Sequence, residues 1–517
     1  MSATLGTSSG VIAPRLVPTD LVRDLGRGRP LEAGASAAWK RLIGLDVGLE
    51  GLSQLFQPSF PGVRTFAVEG RAAPDQAFEV TLVGVSRRGV PVWTGSRAFV
   101  RGRDGSLELH RGFDQVDEEF RHRNITVDLI QRELEILESF GGGPSSRLTA
   151  DAEGVGRYVC ALHGFAFSDL TAEGPPVRSV RAFEPDGDRD RLRASAERLA
   201  RVTAERLNLT AELKVLLTAL SRAETPWDFA RLTLPGMTEL YTAGDDGQMG
   251  VGAFGRMLLL SEQTPPWRAA LPLHAHHPDA RRGAAYRRRK TTQSELRLQK
   301  ELAKAIEDLN GRQRSTRVRG LKVLSAIAPN SVISQIRPLM KDPDRRVASL
   351  ARATIQDMAG TYLQNKLHGY GLETSHPAAK RALAIRVLAE HFPNRLEPSA
   401  PMLRVDPDAR IQKAVIPLVA AGPDAGPSLA SMLAANPHFE SRARPGVEAL
   451  RIELIERLTV LRDPNTLPVL MAAYRRQPSP QPPEQLALSR ALVVFPDPRA
   501  QTVLAEPRTP GVTPLIP

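Results

Sequence analysis

Apolar residues change their period along this chain, and that change limits what it can fold into. Between Gly62 and Val116 they alternate: Phe66 and Val68, then Phe78, Val80 and Leu82, then Val92 to Val100, then Leu107 and Leu109. Turn signals at Arg88-Gly89 and Arg103-Asp104-Gly105 separate the runs. Alternation bounded by glycine and aspartate is the signature of strands joined by hairpins, so an antiparallel meander ending near Val116 is expected. From about Thr292 the spacing is helical instead, with Leu298, Leu302, Ile306 and Leu309, then Val318, Leu321 and Leu324, then Val347, Leu350 and Ala351. A length of 517 residues also exceeds the roughly 250–300 that one hydrophobic core serves, so two modules are expected.

Behind the meander, Leu129, Ile130, Leu134, Ile136 and Leu137 recur at helical spacing until Gly141-Gly142-Gly143 stops them. A short strand at Arg147 to Ala152, a short helix at Gly154 to Leu162 and a strand start at Gly164 to Phe167 follow. Residues 188–221 read as one long amphipathic helix. Residues 1–40, with Pro14, Pro18 and Pro30 among Gly, Ser and Arg, read as an irregular arm. The run 276–291 combines His, Arg and Lys without an apolar face and reads as a basic linker. The expected layout is therefore an arm at 1–40, an α+β domain at 41–275, the linker at 276–291 and helical repeats at 292–510.

Four turns in the second half share one chemistry: Asp342-Pro343-Asp344, Asp406-Pro407-Asp408, Asp463-Pro464-Asn465 and Asp497-Pro498. In each, aspartate can cap the free amides of the next helix while proline occupies a first-turn position that needs no N–H. The Asp-Pro-Asp-x-x-Val turn at Asp342 to Val347 resembles HEAT repeats. That resemblance implies an all-α solenoid whose helix pairs stack, with an extended concave face for a protein partner.

The segment Val116 to Thr126 lies where a strand gives way to a helix, and free amides at a helix N-terminus favour an anion. It resembles the acetyl-CoA loop of the GNAT acyltransferase superfamily. Arg121 stands at the first motif position, Arg123 and Ile125 fit, and Asn124 and Thr126 occupy the places where that family carries glycine or alanine. Downstream, Gly156 to Phe165, with Tyr158, resembles the family's final helix and strand. The resemblance spans about Leu45 to Asp169. It implies a GNAT-like module with a mixed sheet flanked by helices, with acetyl-CoA as cofactor. Val116, Arg121, Arg123, Asn124, Ile125 and Thr126 would hold that cofactor. Tyr158 would protonate the departing thiolate, and Glu108, or else Asp114, would act as general base.

Other features narrow the choice. One cysteine, Cys160, allows no intramolecular disulfide and no thiolate-rich zinc site, and no apolar run approaches the roughly 20 residues of a membrane helix. A cytoplasmic protein without membrane contact and without a bound metal is expected. His274, His276, His277 and Asp279 read as a solvated loop. The basic run Arg281 to Lys290, continuing through Arg312, Arg314, Arg317 and Arg319, offers phosphate contacts for a nucleic acid. HEAT-like folds include glycosylases of alkylated purines, but all four tryptophans precede the repeat half, which leaves few rings there to hold a base. No Gly-x-x-x-x-Gly-Lys-Ser/Thr and no His-Glu-x-x-His occurs. Two readings follow. One is a non-catalytic or weakly active scaffold in which both modules bind macromolecules. The other is an acyl-CoA-dependent N-acyltransferase whose repeats recruit a protein substrate.

Overall fold

The computed structural model describes residues 25–73, 77–102, 105–117, 120, 125–140, 146–152, 155–167, 185–234, 237, 252–272, 278–360, 362–437, 446–475 and 482–505. They form two compact units, one of residues 1–85 and 92–358 and one of residues 86–91 and 359–517.

The first unit is built on a seven-stranded mixed sheet in the order β1-β2-β3-β4-β5-β7-β6. The strands are β1 (Val63–Ala72), β2 (Phe78–Ser86), β3 (Pro91–Arg101), β4 (Leu107–Val116), β5 (Arg147–Ala152), β6 (Ala166–Phe167) and β7 (Trp267–Pro272). β3 and β4 pair antiparallel, β4 and β5 parallel, and β7 runs antiparallel to both β5 and β6. The parallel pair needs a crossover, which the helix α3 (Ile125–Phe140) supplies. Two earlier helices, α1 (Ala33–Ile43) and α2 (Leu49–Leu55), pack on β1. Trp39 of α1 is fully buried and meets Phe78 and Phe99 edge-on at 5.1 and 5.2 Å. Residues 25–40 therefore contribute to the core rather than forming the irregular arm expected, because Leu25, Leu31, Ala35, Ala38 and Trp39 are all buried.

The helix expected over 188–221 is two, α5 (Pro185–Arg206) and α6 (Thr210–Ser221), separated at Asn208, whose φ of 54° is left-handed. Between α3 and α5 lies α4 (Val155–Leu162); α7 (Pro226–Ala230) and α8 (Ala253–Leu260) precede β7. β7 inserts between β5 and β6, a placement the sequence pattern does not announce.

The segment 276–291 is not a linker. From Pro278 it belongs to a helix of 32 residues, α9 (Pro278–Leu309), rich in Arg and Ala, which are good helix formers. What the linker reading lacked is a specific anchor. A Cβ on Gly283 would lie 2.0 Å from the His163 carbonyl oxygen, the buried Arg287 donates to that carbonyl at 2.6 Å, and Tyr286 meets the His163 ring edge-on at 5.2 Å. The rest of this unit is α10 (Arg314–Ile327), α11 (Ile333–Ile336) and α12 (Arg345–Met358), packed with the end of α9 around Leu321, Leu324, Ile336 and Val347.

The second unit is helical: α13 (Leu363–Leu372), α14 (Ala378–His391), α15 (Pro393–Leu396), α16 (Ala400–Leu403), α17 (Ala409–Ala420), α18 (Ala425–Ala435), α19 (Val447–Leu461), α20 (Leu467–Arg475), α21 (Pro482–Val494) and α22 (Pro498–Ala505). α14, α17, α19 and α21 pack one on the next, and α18, α20 and α22 do the same in a second row. In the first unit α10 and α12 begin at Arg314 and Arg345, 31 residues apart, and in the second the helices that open each pair begin at Ala378, Ala409, Val447 and Pro482, about 31 to 38 residues apart. The four Asp-Pro turns occur at two different places in this pattern. Asp342 and Asp406 lie between pairs, whereas Asp463 and Asp497 lie within them, which is why their spacing looks uneven in the sequence.

Asp463 and Asp497 cap as expected, accepting from the amides of Asn465 and Arg499 at 2.9 and 2.8 Å. In the two Asp-Pro-Asp turns the cap is instead the second aspartate, Asp344 accepting from Arg346 and Val347 and Asp408 from Arg410, because Pro343 and Pro407 precede the helix; Asp342 and Asp406 accept from the Asp344 and Asp408 amides at 2.8 and 2.9 Å. The between-pair aspartates have a further role. Arg317 bonds the Gly311 carbonyl and Asp342, and Arg381, also 25 residues before its aspartate, bonds the Gly371 carbonyl and Asp406. Each arginine thereby ties the end of one turn to the start of the next helix, with its charge matched inside the fold. Arg381→Met should lower stability by about 2 kcal/mol, because it leaves a buried carbonyl and carboxylate short of a donor, whereas Arg410→Ala at a surface pair should cost less than about 0.5 kcal/mol. Denaturant melts of the two variants check this, and equal midpoints would remove the linking role of Arg381.

Candidate functional site

β4 breaks its own alternation. Arg97 pairs with Arg111 and Ser96 with Phe113, so Gly112 is an extra residue, a bulge on β4. A Cβ there would lie 2.3 Å from Ser96 Oγ, so any larger residue would require that hydroxyl to rotate away. The bulge carries Asp114 onto the same face as Arg111 and sends Phe113 to the other, where it is 50% exposed.

On the first face four charges close a buried ring. Arg97, fully buried, contacts Asp114 at 2.8 Å and Glu133 of α3 at 2.5 Å, and Arg111 contacts the same two carboxylates. Although burial pushes Asp114 up, Arg111 and Arg97 hold its carboxyl below the usual carboxylate range. Asp114, expected as the second candidate for a general base, is therefore a counter-ion shared by two guanidinium groups.

Glu108 and His110 lie on the opposite face of β4, beside Arg147, Thr149 and Asp151 of the parallel neighbour β5. Glu108 accepts from Arg147 at 2.8 Å and from the Thr149 hydroxyl at 2.9 Å. His110 Nδ1 lies 3.0 Å from the same hydroxyl, and its Nε2 lies 3.4 Å from Asp151 Oδ2. Since Thr149 gives its proton to Glu108, the 3.0 Å contact makes His110 Nδ1 the donor. This chain of Arg147, Glu108, Thr149, His110 and Asp151 was not read from the sequence. Only the parallel register, which sets His110 opposite Thr149, assembles it.

Tyr158 lies on α4, 7% exposed, with the Arg256 guanidinium 5.9 Å above its ring. Cys160 is buried on the same helix, and burial, with Arg111 opposing and Asp151 adding, pushes its thiol up to about 12. That leaves no thiolate for nucleophilic work. Cys160 should resist alkylation at pH 8 in the native protein and react at the rate of a free thiol once denaturant unfolds the sheet; rapid native labelling would contradict its burial. His163 is held neutral, its ring pushed well below the usual histidine range by burial and by Arg287 and Arg111.

Of the expected cofactor residues, Val116 ends β4 opposite Trp93, Ile125 is the buried first residue of α3, and Thr126 stands half-buried beside it. Arg121, Arg123 and Asn124 lie outside the described residues, as do His274, His276 and His277. In the first turn of α3, burial pushes Asp128 up from 3.8 to about 6, against hydrogen bonds from the Ser59 and Phe60 backbone and with Glu295 adding to the rise. The folded state then binds the extra proton between about pH 4 and pH 6, so stability is lost as pH rises through that window. Asp128→Asn should remove this slope and leave the variant about 3 kcal/mol more stable at pH 7; parallel melts from pH 4 to 7 test it, and identical slopes would refute the assignment.

Among the described residues, no helix is long and apolar enough to cross a membrane, and no three His, Cys, Asp or Glu side chains converge to hold a metal ion. No protein-family model, curated protein or solved structure matches this chain.

Proposed function

We propose that the chain is a two-module binding protein, in which a GNAT-like N-terminal domain and a HEAT-like array each hold a macromolecular partner and little or no chemistry is done between them. The GNAT-like reading is supported by the layout after β4: a bulged strand, the helix α3 as crossover, a parallel return at β5, and the helix and strand around Tyr158 to Phe167. The HEAT-like reading is supported by the two rows of packed helices and by the matched Arg317–Asp342 and Arg381–Asp406 links. An array of that kind offers its concave side to a protein.

One observation carries the non-catalytic reading. Both carboxylates of β4 that could take a proton from an attacking amine are already counter-ions, Glu108 to Arg147 and Asp114 to Arg97 and Arg111. Asn124 and Thr126 add side chains where a phosphate cradle needs bare backbone. The second reading, an acyl-CoA-dependent N-acyltransferase whose array recruits a protein substrate, is favoured by the His110–Asp151 contact beside the parallel pair, since that pair could carry a proton in place of the engaged carboxylates.

Calorimetric titration of the whole protein with acetyl-CoA and with CoA separates the two. Absence of binding to either is the expected result. Micromolar binding would bring the transferase forward, and Tyr158→Phe should then abolish turnover while leaving cofactor affinity unchanged.

A further inference from the structure

The chain carries 69 Lys and Arg against 57 Asp and Glu, an excess of twelve, and this excess is not spread evenly. Residues 278–358 hold nineteen Lys and Arg and eight Asp and Glu, so eleven of the twelve positive charges belong to 81 residues, all inside the first unit. The remaining 436 residues are nearly neutral, with fifty basic and forty-nine acidic side chains. Such an asymmetry is a statement about partners rather than about folding.

The charge is arranged on a rigid support. At 100° per residue, Arg282, Arg289, Arg297, Lys300 and Lys304 of α9 fall within an arc of about 80°, and they extend for about 33 Å along the helix. Arg282, Arg297, Lys300 and Lys304 are exposed and Arg289 is half-exposed. Around the rest of the helix Arg287, Ala305 and Leu309 are buried, Tyr286 is buried within the arc itself between Arg282 and Arg289, and the Arg287 bond to the His163 carbonyl fixes the basic end. Arg281 and Arg288 are exposed too, but about 80–100° away from the nearer edge of the stripe, and Lys322 of α10 and Lys341 are exposed elsewhere in the unit.

We infer that this stripe is a binding surface for the phosphate backbone of a nucleic-acid duplex, independent of base sequence and of the acyl-CoA question. A duplex presents one negative charge per roughly 1.7 Å of axis and repeats about every 34 Å, so a stripe of about 33 Å matches one turn. The surface lacks what base reading would need. Tyr286, the one aromatic residue of the basic run, is buried against His163 and cannot stack on a base. Guanidinium and ammonium groups on a fixed helix supply charge-assisted contacts to phosphate without sequence preference.

The test uses the whole protein and a fluorescein-labelled random duplex of about 20 base pairs, followed by anisotropy from about 50 to 200 mM salt. The expected result is roughly micromolar binding at the low-salt end that weakens steeply with salt. Arg282→Glu/Lys300→Glu/Lys304→Glu should lower affinity at least about tenfold and reduce the salt slope by about three. A control triple, Arg198→Glu/Arg201→Glu/Arg206→Glu, changes net charge equally on the exposed side of α5 and should cost less than about twofold. Matching circular dichroism and melting of all three proteins shows that the fold is kept. Failure of the native protein to bind the duplex at low salt would overturn the inference. So would equal losses in both triples, or binding to phosphatidylserine vesicles without binding to the duplex.

Discussion

Arg97 is fully buried, and the position of much of the first unit depends on how its charge is met. It joins β3 to β4 through Asp114 and to α3 through Glu133, while Arg111 of β4 repeats the link to α3 and shares Asp114 within its own strand. Desolvating four charges is costly, and the cost is offset only when every partner is in place. Gly112 puts them in place, because without the bulge Asp114 would lie on the other face and two buried guanidinium groups would share one carboxylate. The ring therefore sets the register of β3 on β4 and the height of α3 above them. That in turn leaves Glu108 and His110 facing β5 on the far side of the strand.

The same device, an arginine buried with its counter-ion, recurs in the helical parts on a smaller scale. Arg317 and Arg381 each span from a glycine carbonyl to an aspartate at the next helix start. Arg451 does comparable work between Glu484 and the Asn436 carbonyl. Aliphatic stripes alone would let such helices slide along one another, since Leu, Val and Ala pack without direction. Directional bonds from a planar guanidinium choose one register. Arg287 extends the theme to α9, where its bond to His163 turns a charge-rich segment into a mounted helix.

Much of this architecture was legible in the residues. The period-2 runs gave the meander to Val116, the helix stopped by Gly141, the strand at Arg147 to Ala152 and the helix carrying Tyr158, because those segments follow local rules of alternation and helix stops. The caps at Asp463 and Asp497 were legible for the same reason, since a cap involves residues two or three apart. The candidate site was far less so. Glu108 and Asp114 looked equally available as bases, and nothing nearby in sequence announced that Arg147, Arg97 and Arg111 would neutralise them. His110 and Asp151 are 41 positions apart and meet only through the parallel register.

What the sequence by itself determined is the local grammar: where strands alternate, where helices start and stop, and where the positive charge is concentrated. Tertiary structure decided what those pieces mean. It made core out of the proline-marked stretch before Trp39, because Phe78 and Phe99 surround that indole. It made a fixed helix out of an apparent linker, because a single carbonyl at His163 accepts from Arg287 where Gly283 allows close approach. It turned two candidate bases into counter-ions. In each case the deciding contact joins residues far apart in the chain, and electrostatics and close packing act on distance in space rather than on separation in sequence.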